Sequence, residues 1–330
     1  MTRSCLYLWR GISLKRLEKK LKSNAIAWMI DSCVISQRYQ LNIERPQQIL
    51  VRRRAALGDV IMSTGVVREL KNRYACEIDV ATEFPNVYDN NPHVRAIYHT
   101  NAMPNPTNYD LYINLDDAYE HNPVNHYLDS YFYRAFGKLA IENKAPELFA
   151  NEVDQETVNT FLQDNQLDKY IVIHIRQWYW PLKNMSWDTW YAVFERLFGE
   201  RTDFKIVCVG SAQDGSVEHP LFVDARERLN VQQQKLLMDQ ARCFVGIDSG
   251  PYHIAVASRT HIISLHTHLL PERIAPQHKL YTAIKSAVDC VGCNDTQQRP
   301  VSQVICKHGD FRCSNSFDAE RIAVNILEIL

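Results

Sequence analysis

Two rhythms of apolar residues alternate along most of this chain. Short, almost wholly apolar runs such as Ile49-Leu50-Val51, Tyr170 to Ile175 and Cys243 to Ile247 read as buried strands. Between them lie longer segments with helical spacing. After Leu57-Gly58-Asp59, residues Met62, Val66, Val67 and Leu70 form an inward stripe, with Lys71 and Arg73 closing the helix. Further strands are expected at Ile78–Ala81, Val94–Tyr98, Leu111–Leu115, Phe204–Val209 and Ile262–Leu265. Helices are expected at about 124–137, 154–165, 187–198, 231–240 and 251–258. Strands separated by helix-length segments imply parallel sheets covered on both faces. The pattern runs through twice, with a break in the Pro-bearing stretch 142–168, which predicts two Rossmann-like domains.

Before Pro46 the pattern differs. Residues 12–30 read as a helix with Leu14, Leu17, Leu21 and Trp28 on one stripe, ringed by Lys15, Arg16, Lys19, Lys20 and Lys22. Such a helix suits an anionic membrane or nucleic acid, or packs on its own domain with solvated lysines. The division expected is a basic extension over 1–45, a first domain over 46–150 and a second over 151–330.

Composition narrows the class. The 330 residues are 46% hydrophobic with few Gly and Pro, which excludes a disordered or low-complexity chain. No apolar run nears the ~20 residues of a spanning helix. The opening apolar stretch is too short for a signal-peptide core, so a cytoplasmic protein is expected. The net charge of -1 hides a strong polarity: 15 Lys/Arg against 5 Asp/Glu up to Tyr74, then 4 against 11 up to Ala150. An anionic partner would meet the basic end, which includes Arg52, Arg53 and Arg54.

In open α/β sheets, ligands bind beyond the carboxyl ends of the strands. Three such loops carry reactive groups. In Ala55 to Asp59, Gly58 permits close backbone approach, and Asp59 is either a general base or the cap of the next helix. Asp248-Ser249-Gly250-Pro251-Tyr252-His253 offers backbone N–H groups of Ser249 and Gly250 to a phosphate, or is simply a helix cap. Arg176 to Trp187 holds Lys183, a point charge suited to a diphosphate. A serine-hydrolase elbow and a P-loop are both absent from the sequence. His261, His266 and His268 are expected to line the same crevice.

Of nine cysteines, Cys208 and Cys243 sit in apolar strands, and four cluster as Cys290, Cys293, Cys306 and Cys313. Four thiolates would complete a structural zinc or iron site; reduced free thiols are the alternative.

Taken in order, four segments resemble glycosyltransferase family 9, the heptosyltransferase-like enzymes. They are Ile49-Leu50-Val51-Arg52 with Ala56 to Ile61, the Lys183–Trp187 stretch, Val245 to Ala257, and the tail from Cys290 to Ile322. Asp248-Ser249-Gly250-Pro251-Tyr252-His253 is the most specific of them. The bulky Arg176-Gln177-Trp178-Tyr179-Trp180 departs from a small turn common in the family, and residues before Pro46 have no counterpart.

The resemblance implies a GT-B fold with a cleft between an acceptor domain and a nucleotide-sugar domain. It implies an inverting transferase that uses no catalytic metal, with Asp59 as base and Gly58 and Arg53 on the acceptor side of the cleft. Lys183, Ser249 and Gly250 would hold the donor diphosphate, ordered by Asp248 and His253, with Arg176 and Asp214 beside the nucleotide. The family's default donor is ADP-heptose. A lipopolysaccharide or other surface-glycan precursor is the expected acceptor, with the acidic, Tyr-rich stretch Tyr109–Phe136 helping to bind it. A protein or modified-DNA acceptor, peripheral membrane contact, and a non-catalytic nucleic-acid or membrane-binding module are the competing readings.

Overall fold

The computed structural model describes residues 45–120, 126–137, 141–177, 180–276, 280–294 and 305–330. The basic helix expected over 12–30, and with it the membrane and nucleic-acid readings, lies outside the described residues.

Both expected sheets are present and wholly parallel. The first comprises β1 (Gln48–Arg52), β2 (Glu77–Thr82), β3 (Ala96–His99) and β4 (Leu111–Asn114), in the order β3-β2-β1-β4. The second comprises β5 (Tyr170–Ile173), β6 (Lys205–Cys208), β7 (Phe222–Asp224), β8 (Cys243–Ile247), β9 (His261–His266) and β10 (Tyr281–Lys285). Its order, β10-β9-β8-β5-β6-β7, is that of a doubly wound dinucleotide-type sheet. In each sheet the strand order reverses beside the first strand. The crevices therefore open between the ends of β1 and β4 and between the ends of β5 and β8.

The helices follow the predicted stripes. α1 (Leu57–Tyr74) buries Met62, Val66, Val67 and Leu70 as expected. α2 (Tyr127–Phe136), α3 (Glu152–Asp164), α4 (Trp187–Glu200), α5 (Val231–Gln240) and α6 (Gly250–Val256) each fall within a few residues of expectation. The last helix, α7 (Ala319–Ile329), packs on α4 and had no counterpart in the pattern reading; nor had β7 and β10. The strand expected at Val94 begins at Ala96; Arg95, just before it, holds Asp79 of β2 at 2.9 and 2.7 Å. The strand expected to reach Ile175 stops at Ile173, where the chain enters the crevice.

The segment between the sheets is strapped to α1. Arg68 donates to the carbonyls of Ala145 and Asn143 at 2.8 and 2.9 Å and pairs with Glu147, whose N–H donates to Thr64. A Cβ on Gly65 would lie 2.9 Å from the Ala145 carbonyl, so a small residue is required where the strap crosses. One continuous apolar cluster runs from Ile49, Val51 and Val60 in the first sheet layer to Val172, Phe244 and Tyr252 in the second. The far face of the second sheet carries a separate core around Trp190, Phe194 and Ile322.

Candidate active site

At the β1/β4 crevice the chain gathers opposite charges. Arg53, 3% exposed, donates to the Leu115 carbonyl at 2.8 Å and so ties the end of β1 to that of β4. Its other terminal nitrogen lies 2.8 Å from Asp59 and 3.2 Å from Glu120. Asp59 accepts from the Ala56 N–H at 2.9 Å and from the Tyr131 hydroxyl at 3.1 Å. The N-cap position is Ala56, and Asp59, three residues in, performs the expected capping from inside the helix by accepting the Ala56 N–H. Its carboxylate serves the first turn from inside the helix while a second oxygen faces Arg53 and Tyr131.

Tyr119 stacks on Tyr127 at 3.8 Å and 11°, and Arg53 lies over the rings of Tyr119 and Tyr131. Burial raises the pKa of both Tyr119 and Tyr131, and the Asp59 charge adds to it, so both hydroxyls remain donors.

At the β5/β8 crevice, His174 follows β5, and its Nδ1 is 2.9 Å from the Ser249 hydroxyl beyond β8. Its Nε2 lies 3.1 Å from Asp214. The Asp214 carboxylate also accepts from the Ser211 N–H and hydroxyl at 2.8 and 2.9 Å. Burial works against the Asp214 charge, but His174 and Ser211 hold its pKa below the ordinary range. Asp214 thus closes the loop beyond β6 onto His174.

Next to them, Lys183 lies 2.5 Å from one oxygen of Asp248, and His253 lies 3.2 Å from the other. Burial again opposes the carboxylate charge, and Lys183 and His253 together hold it well below the usual value. Arg176 is buried beside this group and donates to the Asn184 amide oxygen at 3.2 Å. Ser249 caps α6, with Gly250 and Pro251 as its first two residues.

The two crevices meet. A Cβ on Gly58 would stand 2.3 Å from His253, and one on Gly250 would stand 2.8 Å from Leu57. The starts of α1 and α6 are therefore pressed together across the molecule, and the missing side chains are what let them touch. Gly58 thus accommodates an imidazole of the other domain. His126, capping α2, lies 2.9 Å from the Ala275 carbonyl beyond β9 and adds a polar link. His266 and His268 stand at the crevice end of β9, whereas His261 sits at the opposite end, 2.9 Å from Thr282.

None of the described cysteines is in a disulfide. Cys293 and Cys313 are buried in an apolar cluster with Leu182, the residue before Lys183, and Cys306 packs at its edge. Burial works against a Cys306 thiolate, but backbone N–H groups from Phe311, His308, Gly309 and Asp310 turn toward its sulfur and lower its pKa. Among the described residues, donor atoms of Asp289, Cys290 and His308 all lie within 4.8 Å of one another.

The model of glycosyltransferase family 9 (heptosyltransferase) matches residues 109–301. The chain belongs to glycosyltransferase family 9. It is a glycosyltransferase with two parallel-sheet α/β domains in the GT-B arrangement of that family. It is similar to a family 9 glycosyl transferase from Veillonella parvula, with a TM-score of 0.66 and 15% identity over 86% of this chain and 97% of that one. TibC, an iron-containing dodecameric glycosyltransferase from enterotoxigenic E. coli, gives 0.65 and 16% over 87% and 78%. E. coli ADP-heptose LPS heptosyltransferase II gives 0.63 and 16% over 86% and 98%. No curated protein matches the sequence.

In this family 9 enzyme the sequence-selected residues fall into two groups on facing crevices: Arg53, Gly58 and Asp59 on one, and Arg176, Lys183, Asp214, Asp248, Ser249, Gly250 and His253 on the other. Sequence reasoning missed His174, and it reached Glu120 and Tyr131 only as part of the Tyr109–Phe136 stretch, without singling them out. His174 was absorbed into an apolar strand, although a polar residue directly after such a run, at the reversal of strand order, was the available signal. Among the described residues no helix is long and apolar enough to cross a membrane.

Proposed function

We propose that this enzyme transfers a heptose, with inversion and without a catalytic metal, from ADP-heptose to a hydroxyl of a lipopolysaccharide or surface-glycan precursor. The observation that carries this reading is the Asp59 carboxylate at the start of α1, set against the Lys183–Asp248–His253 cluster where Gly58 meets His253.

In the reaction, the acceptor oxygen attacks the anomeric carbon while its proton passes to Asp59. The carbon–oxygen bond to the diphosphate breaks on the opposite face. Lys183 and the N–H groups of Ser249 and Gly250 receive the charge developing on the leaving nucleoside diphosphate. Lys183 is already fixed by Asp248, so little is lost in orienting it. Arg176 and Asp214 border the same crevice, Asp214 by holding its loop to His174. Residues up to about 150 serve the acceptor and the remainder the donor. Support for the donor comes from similar folds: a TibC structure was determined with ADP-D-beta-D-heptose and the E. coli WaaC heptosyltransferase with ADP.

We further propose that Cys290, Cys293, Cys306 and Cys313 hold one structural zinc or iron ion. In support, none of the four is in a disulfide, Cys313 lies within reach of the charges of the other three, and backbone N–H groups surround the Cys306 sulfur. The iron-containing TibC is a relevant comparison.

Thermal shift with ADP, ADP-heptose, UDP-glucose and GDP-mannose tests the donor. Selective stabilisation by the adenine nucleotides is expected, and none by any of the four would remove the proposed donor. Mass spectrometry of a heptose-deficient lipopolysaccharide precursor incubated with ADP-heptose should show the mass of one added heptose.

A further inference from the structure

One carboxylate beside the proposed base has no part in the reaction as written. Glu120 follows β4, and its side chain is only 14% exposed. One oxygen lies 3.2 Å from the Arg53 nitrogen that also lies 2.8 Å from Asp59. The other accepts from the Tyr119 N–H at 3.2 Å. A single guanidinium nitrogen thus stands between two carboxylates.

We propose that Glu120 is a positioning residue that shares Arg53 with Asp59 and thereby keeps Asp59 basic enough to take the acceptor proton. This rests on the reading of Asp59 as the base. An arginine bound to a carboxylate alone stabilises its ionised form and weakens it as a base. A second carboxylate on the same nitrogen draws off part of that field and adds repulsion of its own. Before transfer, Asp59, Glu120 and Arg53 carry a net charge of minus one. When the acceptor O–H bond breaks and the proton settles on Asp59, the remaining Arg53–Glu120 pair is neutral. Without Glu120, the same step would leave an uncompensated cation in a site where Arg53 is almost wholly buried.

Two further observations agree. Burial raises the Glu120 pKa, Arg53 opposes the rise and Asp59 adds to it; interaction between two titrating groups is reciprocal. The segment carrying Glu120 is also held in place, since Tyr119 is stacked on Tyr127 and faces Tyr131. The charged and titratable groups facing the pair are Arg53 beyond β1, Tyr119 beside Glu120, and Tyr127 and Tyr131 of α2. His253 of α6 borders it through Gly58.

The test is the pH dependence of kcat/KM for transfer from ADP-heptose to a heptose-deficient lipopolysaccharide precursor. In Glu120→Gln the acid limb should move to lower pH by about one unit. The plateau kcat should fall about tenfold, and KM for ADP-heptose should stay as in the wild type. Glu120→Asp, which retains the charge, should keep the acid limb in its wild-type position. A lowered plateau with an unmoved acid limb in Glu120→Gln would overturn the proposal in favour of a purely structural role, as would wild-type behaviour throughout.

A substrate-free reading comes from carboxyl-carbon NMR titration of protein labelled at aspartate, with Asp59 assigned by Asp59→Asn. Its midpoint should fall in Glu120→Gln, and an unchanged midpoint counts against the proposal. If Glu120→Gln does not fold, Glu120→Asp and Glu120→Ala carry the same comparison. Loss of turnover in Asp59→Asn with an unmoved limb in Glu120→Gln would remove Glu120 while leaving the base in place. Full turnover in Asp59→Asn would remove the base itself.

Discussion

Asp59 makes more contacts than a helix start requires. An acidic residue in the first turn needs only the Ala56 N–H and the helix field, yet this one also meets Arg53 and Tyr131. As the proposed base, Asp59→Asn keeps the shape and removes the proton acceptor. Transfer should fall by about 10²–10⁴-fold, with ADP affinity by calorimetry close to wild type. Gly58 is as specific in the opposite sense. A methyl group there would stand 2.3 Å from the His253 ring, so Gly58→Ala must push the domains apart or displace the imidazole from Asp248. A loss of about 1–3 kcal/mol in urea unfolding is expected, with a raised KM for ADP-heptose. An unperturbed variant would show that the contact of the two helix starts is dispensable.

At the scale of elements, α3 and α5 of the second domain are fastened to each other at their caps. Asn230 caps α5 by accepting from the Gln233 N–H at 2.8 Å, and its amide donates to Asp154 of α3 at 3.1 Å. Asp154 in turn accepts from the Asn151 N–H, so two caps share one carboxylate. Asn230→Ala should cost about 1–2 kcal/mol in urea unfolding, against almost nothing for the exposed control Glu156→Ala.

Those helices were legible because each buries one stripe and exposes the rest, which is a local property of sequence. β7 was not, since three residues do not establish an alternation, and β10 packs at a sheet edge with only one residue fully buried. α7 carries a clear stripe of Ile322, Ala323 and Ile326, but its packing on α4 is a long-range fact.

For the molecule as a whole, two buried imidazoles set an acid limit on stability. Burial holds His266 down to about 4 and His268 to about 3. In the unfolded chain both take up protons as pH falls through about 6.5, while the folded chain keeps them neutral. The unfolded state then binds more protons, so stability is full above that value and declines as pH falls toward 4. Asp248 is depressed instead, and its contribution is lost only below the ordinary carboxylate range, so it does not mask this window. The urea midpoint at pH 5 should lie below that at pH 7, by roughly 2–4 kcal/mol in unfolding free energy; equal midpoints would contradict the linkage. Elemental analysis gives a second whole-molecule test. About one zinc or iron per chain is expected, and a folded, metal-free protein would end the proposal for the four cysteines.

The sequence by itself determined the alternation of strands and helices, the parallel sheets and the chemistry of three strand-end loops. Each of these depends on neighbours within one turn or one strand. It also carried the family resemblance, because Asp248 to His253 and Ala56 to Ile61 are contiguous. Only the tertiary structure decided that the two loops face each other, that Gly58 admits His253, and that Glu120 and Tyr131 join Asp59 around Arg53. Asp59 and Glu120 are 61 positions apart within the first domain, whereas Gly58 and His253 are 195 apart, and what brings that last pair together is the burial of one apolar cluster shared by both domains. No periodicity within either domain could encode that contact; it exists only once both sheets have folded and α1 has met α6.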